Sequence, residues 1–323
     1  MRLTPRAGLL PSGMAAIFLS TLPFFMVIAA GYGAGRSGFF TPEATAWLTK
    51  FVFYFALSAM LLRFSANLSL REIFEPSFVL AYLCGSAVVY GLATAVSLVR
   101  GARAEEAAIE AQCAVVGNVG FLGIPMLAML MGEAAIAAVM MVLAVDLIVF
   151  GALIVIVITG TRDGRMRPAV LGTVGLGLLR NPMIVSIVLG LAWSGLQLPI
   201  PGPVNEFLII LGGAATPGAL FAIGASLAGK SAERPYVATW LSLCKLVLHP
   251  AAVAVAALLI FDVDPYSAAV MIAAASLPVA GNVYMLAQHY GVAPQRVSAS
   301  ILISTVLAAV TVSLVIGWVQ PLY

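Results

Sequence analysis

Ten apolar stretches follow one another along the chain, with only short polar connections between them. A helix needs about 20 apolar residues to cross the hydrocarbon core of a bilayer. Only 9% of the 323 residues are charged, against about 25% in an ordinary soluble domain. This pattern predicts an all-α polytopic membrane protein and excludes a cytosolic enzyme, a nucleic-acid-binding protein and a disordered chain. We place the spans at 14–35, 43–65, 76–99, 105–130, 133–159, 171–196, 204–229, 235–260, 266–290 and 295–319.

Basic residues are concentrated in alternate connections. Nine lysines and arginines follow the odd-numbered spans, whereas the connections after the even-numbered spans contain only Arg71. Because cytoplasmic loops are rich in Lys and Arg, the loop at 160–170 is predicted to be cytoplasmic and both termini non-cytoplasmic, in the inner or plasma membrane. Arg2 and Arg6 run against this orientation but do not outweigh the nine. The nine are Arg36, Arg100, Arg103, Arg162, Arg165, Arg167, Lys230, Arg234 and Arg296.

The two halves of the chain resemble each other at one offset, 159 residues. Each half then contains five spans, residues 1–159 and 171–323, joined by the loop at 160–170. Because five is odd, the second half must insert upside down, which gives two inverted five-helix repeats of the kind found in many secondary transporters. The offset pairs Pro23 with Pro182, Pro42 with Pro201, Pro76 with Pro235, Gly31 with Gly190, and Gly132 with Gly291.

Helix-breaking residues lie in the middle of the fourth and ninth spans. The fourth contains VGNVGFLGIP at 116–125, and the ninth contains LPVAGNVY at 277–284. We expect both helices to unwind and cross there, exposing half-helix ends that suit a carboxylate. The alternative is that the glycines allow close helix packing and the prolines produce kinks. The substrate-binding residues predicted from these two segments are Asn118, Gly120, Gly123, Pro125, Pro278, Gly281 and Asn282.

Two further polar residues lie at corresponding places in the second and seventh spans. Ser58 and Thr216 are candidates for substrate contact. The alternative is that each hydroxyl bonds to a carbonyl of its own helix.

Three sequence runs resemble the auxin efflux carrier family in its bacterial branch, which is often described as malate or malonate permeases. They are GNVGFLGIPML at 117–127, TPGALFAIG at 216–224 and SLPVAGNVYMLAQHYG at 276–291. The resemblance covers essentially the whole chain, although Ser58 stands where the family commonly has a proline. It implies carrier-type transport of small organic anions, on a fold shared with bile-acid and sodium–proton carriers. It also implies a scaffold built from helices one, two, six and seven that offers a face for a homodimer.

Ionisable residues deep in a membrane are costly, at least about 2.5–3.5 kcal/mol on insertion scales, and therefore need a reason. Asp146 is a candidate carrier of a coupling proton or sodium ion, and Lys245 is a candidate partner for a substrate anion or a carboxylate. The alternative for Lys245 is a structural ion pair or snorkelling toward the membrane surface, and the alternative for Asp146 is a structural contact with a hydroxyl or a lysine. Glu110 precedes the break in the fourth span, and the alternative for it is solvation near the cytoplasmic surface.

The leading functional hypothesis is therefore a secondary carrier of a small mono- or dicarboxylate, working by alternating access without a cofactor. A sodium–proton exchanger is the alternative within transport, but the predicted crossing contains Asn118 and Asn282 rather than acidic residues. A membrane-embedded enzyme or a receptor is less favoured, because no metalloprotease or nucleophile motif appears. Cys84, Cys113 and Cys244 lack the spacing of a metal site or disulfide framework.

The predicted orientation can be tested by labelling introduced cysteines. Asp163→Cys, beside the cytoplasmic loop, and Asp262→Cys, in the connection after the eighth span, should react with an impermeant maleimide from opposite sides. Each is compared with the wild-type protein, which contains three cysteines of its own. Labelling of both positions from the same side would contradict the orientation.

Overall fold

The computed structural model describes residues 14–67, 75–163, 172, 175–176, 179–229 and 235–322. This part of the chain folds into helices, with one isolated β-bridge as the exception. Most of the predicted connection at 160–170, together with Arg2, Arg6, Arg71, Lys230 and Arg234, lies outside the described residues. The helices are α1 (Met14–Arg36), α2 (Pro42–Ala66), α3 (Pro76–Val99), α4 (Ala104–Val115), α5 (Val119–Met131), α6 (135–163), α7 (Pro182–Gly195), α8 (Gly202–Leu227), α9 (Pro235–Ile260), α10 (Pro265–Ala275), α11 (Gly281–Tyr290) and α12 (Pro294–Val319).

Seven of these helices, α1, α2, α3, α6, α8, α9 and α12, are long and apolar enough to cross a membrane. Helices α5, α7 and α10 are apolar but shorter. The prediction of an all-helical chain rich in membrane spans is confirmed. Two boundaries differ from the prediction: α6 continues to Asp163, into the expected loop, and the sixth span is interrupted at Asn181, between the helical residue Arg180 and α7.

Proline starts many of the helices. A proline at the first helical position loses no hydrogen bond, because that N–H has no partner within the helix, and its fixed φ already suits the helix. Three of these prolines follow a capping side chain: Thr41, Asn181 and Asp264 accept hydrogen bonds from backbone N–H groups of the first turn at 3.2, 3.0 and 3.0 Å. The interruption before α7 therefore has a local cause in Asn181 and the proline that follows it.

Several long helices contain a π-helical turn, in which the hydrogen bond spans one extra residue. Such turns often mark functional sites, because they expose a carbonyl and shift the side chains that follow. Three of them lie at candidate positions: Val119–Gly123 follows Asn118, Asp146–Phe150 begins at Asp146, and Cys244–Leu248 contains Lys245.

The helices pack in two groups. In the first, α1 lies along the second half of α8, and α7 lies along the second half of α2. In the second, α3 packs against α4 and α9, α10 packs against α6 and α9, and α12 packs against α9. The groups meet where α1 packs against α12, and a hydrogen bond of 2.9 Å between the hydroxyls of Thr21 on α1 and Ser313 on α12 lies in this contact.

Glycines let α1 and α8 approach to backbone contact. A Cβ atom added to Gly31 would lie 2.1 Å from the carbonyl oxygen of Phe221, and one added to Gly224 would lie 1.9 Å from that of Ile28. No side chain fits at such a distance, so both positions require glycine as long as the helices stay this close. Small residues at helix contacts are typical of packing in membranes, where dispersion replaces the hydrophobic driving force.

Replacing one of these glycines should separate the helices. We expect Gly224→Ala to destabilise the folded protein by about 1–3 kcal/mol, as overpacking does, and to lower the melting temperature of the protein in detergent. Gly33→Ala is the matched control, because a Cβ at Gly33 meets nothing within 4 Å. Equal melting temperatures for the two variants would contradict the contact.

Candidate functional site

Two helical segments are interrupted close to each other in the interior of the protein. Helix α4 ends at Val115 and α5 begins at Val119, while α10 ends at Ala275 and α11 begins at Gly281. The two interruptions lie where glycine and proline predicted them. We call the segments 116–118 and 276–280 together the crossing.

The two segments of the crossing bond to each other. Gly117 and Val279 form an antiparallel bridge. The N–H of Asn118 donates to the carbonyl of Pro278 at 2.8 Å, and the N–H of Ala280 donates to the carbonyl of Val116 at 3.1 Å. Each broken helix therefore supplies partners for backbone groups that the other leaves without an intrahelical bond.

Neighbouring helices satisfy further backbone groups of the crossing. The N–H of Val279 donates to Oγ of Ser304, on α12, at 3.1 Å. The carbonyl of Ala275, at the end of α10, accepts a hydrogen bond from Nζ of Lys245, on α9. Because lipid supplies no hydrogen bonds, non-helical backbone at this depth is tolerated only where the protein provides such partners.

Both asparagines lie at the crossing with unused hydrogen-bonding capacity. Asn118 is only 5% exposed, and its side-chain amide has no hydrogen bond within the described part of the chain. Oδ1 of Asn282 is buried and also has no partner there. A Cβ at the adjacent Gly281 meets nothing within 4 Å, so the start of α11 borders open space. These groups are free to bind a ligand.

Other predicted site residues serve packing or their own helix. A Cβ at Gly120 would lie 2.9 Å from Cε of Met183, and one at Gly123 would lie 2.7 Å from Cδ1 of Leu277, so both glycines allow close side-chain contact. The Ser58 hydroxyl donates to the carbonyl of Phe53 at 3.1 Å, within α2. The contacts of Gly120 and Gly123 agree with the alternative of close packing, and the contact of Ser58 agrees with the alternative of a bond within its own helix.

The remaining predicted residues have simpler surroundings. Pro125 is half-buried in α5, just after the π-helical turn Val119–Gly123, and Thr216 is half-buried in α8. Pro278 is buried and contributes its carbonyl to the crossing.

Asp146 is fully enclosed beside the crossing. Its Oδ1 accepts a hydrogen bond of 2.8 Å from the hydroxyl of Tyr82, on α3, and its Oδ2 is buried without a partner among the described residues. The carboxylate also interacts electrostatically with Lys245 and with the backbone amide of Gly117. The sequence predicted no role for Tyr82, because one tyrosine in an apolar helix gives no signal of its partner.

Lys245 is completely buried and belongs to a short polar chain. Its Nζ lies 3.1 Å from Nδ1 of His249, and Nε2 of His249 lies 2.8 Å from Oγ of Ser86. If the lysine ammonium donates to Nδ1, then Nε2 must carry the imidazole proton and donate to Ser86. The i, i+4 spacing of Lys245 and His249 was visible in the sequence, but the contact with Ser86 was not.

Glu110 lies in an ion-pair network. The residue is 1% exposed, and its carboxylate bonds to Arg100, at the end of α3, and to Arg296, near the start of α12. Nη1 of Arg296 also lies 4.0 Å from Oε2 of Glu106. The alternative of a solvated Glu110 is therefore wrong. The sequence did not identify these partners, because Arg100 and Arg296 were considered there only as markers of orientation.

Comparison with known proteins gives two matches. A family model described as "Membrane transport protein" matches residues 16–316, which include both segments of the crossing. The chain is also similar to a protein described as "Putative malonate transporter" from Rhizobium meliloti (strain 1021). That similarity is 32% identity over 306 residues, covering 93% of this chain and 95% of the relative.

Neutralising Glu110 should leave two arginines facing each other without their shared counter-charge. Breaking a buried ion pair by removing one partner costs about 3–5 kcal/mol, so we expect Glu110→Gln to lower the melting temperature in detergent strongly. Glu133→Gln, at an exposed position in the turn between α5 and α6, serves as the control. If Glu110→Gln melts like Glu133→Gln, the network does not stabilise the fold.

Proposed function

Because the chain belongs to the membrane transport protein family of the auxin efflux carriers, we propose that it is a secondary carrier that moves a small organic anion by alternating access. Membership of this family makes the protein an integral membrane transporter and not an enzyme. The substrate class, the site and the mechanism are our proposal, and each is supported below by a separate feature of the chain.

The observation that carries the substrate proposal is the pair of unused side-chain amides at the crossing. Asn118 and Asn282 offer N–H donors, which suit a carboxylate. Helix α11 begins beside them at Gly281, and the free N–H groups of a helix N-terminus attract anions. An amide can hold a carboxylate without a buried cation, so the anion can also be released. Malonate, named for the relative from Rhizobium meliloti, fits this chemistry and is the first substrate to test.

The architecture we propose is ten spans in two inverted repeats, residues 1–159 and 171–323, with both termini on the non-cytoplasmic side. One pair of contacts supports the repeat independently of the helix count. Gly31 packs on the carbonyl of Phe221, and Gly190 packs on the carbonyl of Leu62, where a Cβ would lie 2.7 Å away. Adding 159 to the residue number takes Gly31 to Gly190 and Leu62 to Phe221. In each contact the glycine comes from one half of the chain and the carbonyl from the other, as expected for two halves related by a twofold axis.

A cation exchanger on the same architecture is the second candidate, and Asp146 is the observation that favours it. A buried carboxylate with one unpaired oxygen next to crossed helices could bind a proton or a sodium ion. The crossing itself contains no acidic residue, however, and Lys245 acts electrostatically on the carboxylate as a counter-charge. We therefore place the organic anion first and assign the proton or sodium ion to coupling.

Counterflow in liposomes tests this proposal directly. Purified protein is reconstituted, the vesicles are loaded with unlabelled malonate, and the uptake of labelled malonate is followed without an ion gradient. A carrier accumulates label transiently, whereas a receptor or an enzyme does not. Sodium exchange without any carboxylate counterflow, tested with malonate, malate and succinate, would favour the second candidate.

In the same assay, the two asparagines should determine affinity. Removing a hydrogen bond to a charged ligand costs about 1.5–3 kcal/mol, or about 10- to 100-fold in affinity. We expect this loss for Asn118→Ala and for Asn282→Ala, with unchanged insertion and folding. Ser58→Ala is the control, because that hydroxyl bonds within its own helix. If both asparagine variants transport like the wild type, the site lies elsewhere.

A further inference from the structure

Lys245 contacts the first segment of the crossing and the backbone directly before the second. Its ammonium donates to the carbonyl of Ala275, the last residue of α10, which precedes the second segment. It also lies directly against the first segment, because a Cβ at Gly117 would be 3.2 Å from its Cε and 3.2 Å from its Nζ. A single side chain on α9 therefore spans the point where two broken helices meet.

The charge of this lysine has the sign that the broken backbone requires. Helix α10 ends at Ala275, and the carbonyl end of a helix carries about half a negative charge. In water this end would be solvated, but here both it and the lysine are enclosed. A cation at a helix C-terminus is stabilising, and the effect is larger when the geometry is partly or fully buried.

Asp146 provides the negative charge that balances Lys245. It interacts electrostatically with Lys245 and with the amide of Gly117. Tyr82 fixes the carboxylate through its hydroxyl, and His249 links the ammonium to Ser86 on α3. The cation thus contacts Gly117 in the first segment and the carbonyl that directly precedes the second, and Asp146 provides its counter-charge.

We propose that Lys245, with Asp146 as its counter-charge, is a positioning residue that holds the two segments of the crossing in register. The pair keeps the side chains of Asn118 and Asn282 in place and binds neither the substrate nor the coupling ion. The proposal rests on the proposed function for its transport readout, but it also predicts a change in local geometry that is measurable without any substrate.

The transport test compares Lys245→Met, Asp146→Asn and the double variant with the wild type and with Lys50→Met, a control at an exposed lysine on α2. Activity is normalised to folded, reconstituted protein. We expect Lys245→Met to raise the KM for malonate at least tenfold and to reduce counterflow and gradient-driven uptake in parallel. The double variant should be no worse than Lys245→Met alone, because the two residues act as one unit.

Two other results would overturn the proposal. If Asp146→Asn keeps full counterflow and loses only gradient-driven uptake, the carboxylate binds the coupling ion. If Lys245→Met lowers the melting temperature but each folded molecule keeps the KM and rate of the wild type, the pair is a structural ion pair alone.

A labelling experiment separates this proposal from the proposed function. Gly281→Cys places a thiol in open space at the crossing, and its reaction rate with a small maleimide is measured above the background of the native cysteines. Adding Lys245→Met should change this rate several-fold, whereas adding Lys50→Met should not. If the wild type shows no counterflow, the proposed function is refuted, but the change in labelling rate still supports the positioning role of Lys245. If Lys245→Met leaves the labelling rate unchanged, that positioning role is refuted.

Discussion

The structure depends on hydrogen-bond partners for backbone groups that leave helical geometry in a region with little water. Two helices stop in the interior, and every residue released from helical geometry carries polar groups that lipid cannot bind. At the crossing, backbone groups form hydrogen bonds between the two segments, to the hydroxyl of Ser304 and to the ammonium of Lys245. Among the described residues, the side-chain amides of Asn118 and Asn282 keep unused hydrogen-bonding capacity there, so the proposed site consists of groups that the scaffold leaves free.

The parts of this arrangement that arise from local chemistry were predictable. Glycine and proline weaken a helix wherever they stand, so the interruptions at 116–118 and 276–280 could be located from the sequence. The seven long apolar helices followed from the length and hydropathy of each stretch, whereas details such as the cap at Asn181 did not. The offset that pairs Gly31 with Gly190 was also visible, although their role in backbone contact was not.

The parts that depend on tertiary partners were not predictable in the same way. Glu110 and Arg296 are 186 residues apart, and a sequence does not show that the arginine is buried and turned toward the carboxylate. The same holds for Tyr82, which holds Asp146 from another helix. A charged residue in a span indicates that a partner is needed. Packing determines which residue that partner is, and packing cannot be deduced from the sequence alone.

The two helix groups are held by different forces, and this difference bears on movement. Around the crossing, bonds with fixed direction join α3, α4, α6, α9, α10 and α12. Helices α1 and α8 instead meet through glycine and dispersion. Between the groups, α1 packs against α12 and Gly120 lies close to the side chain of Met183, and the hydroxyls of Thr21 and Ser313 share a hydrogen bond. A group stiffened by its own charges and joined to its neighbour mainly by apolar contact can shift as a unit. Alternating access requires this of a carrier that keeps its site intact while it moves.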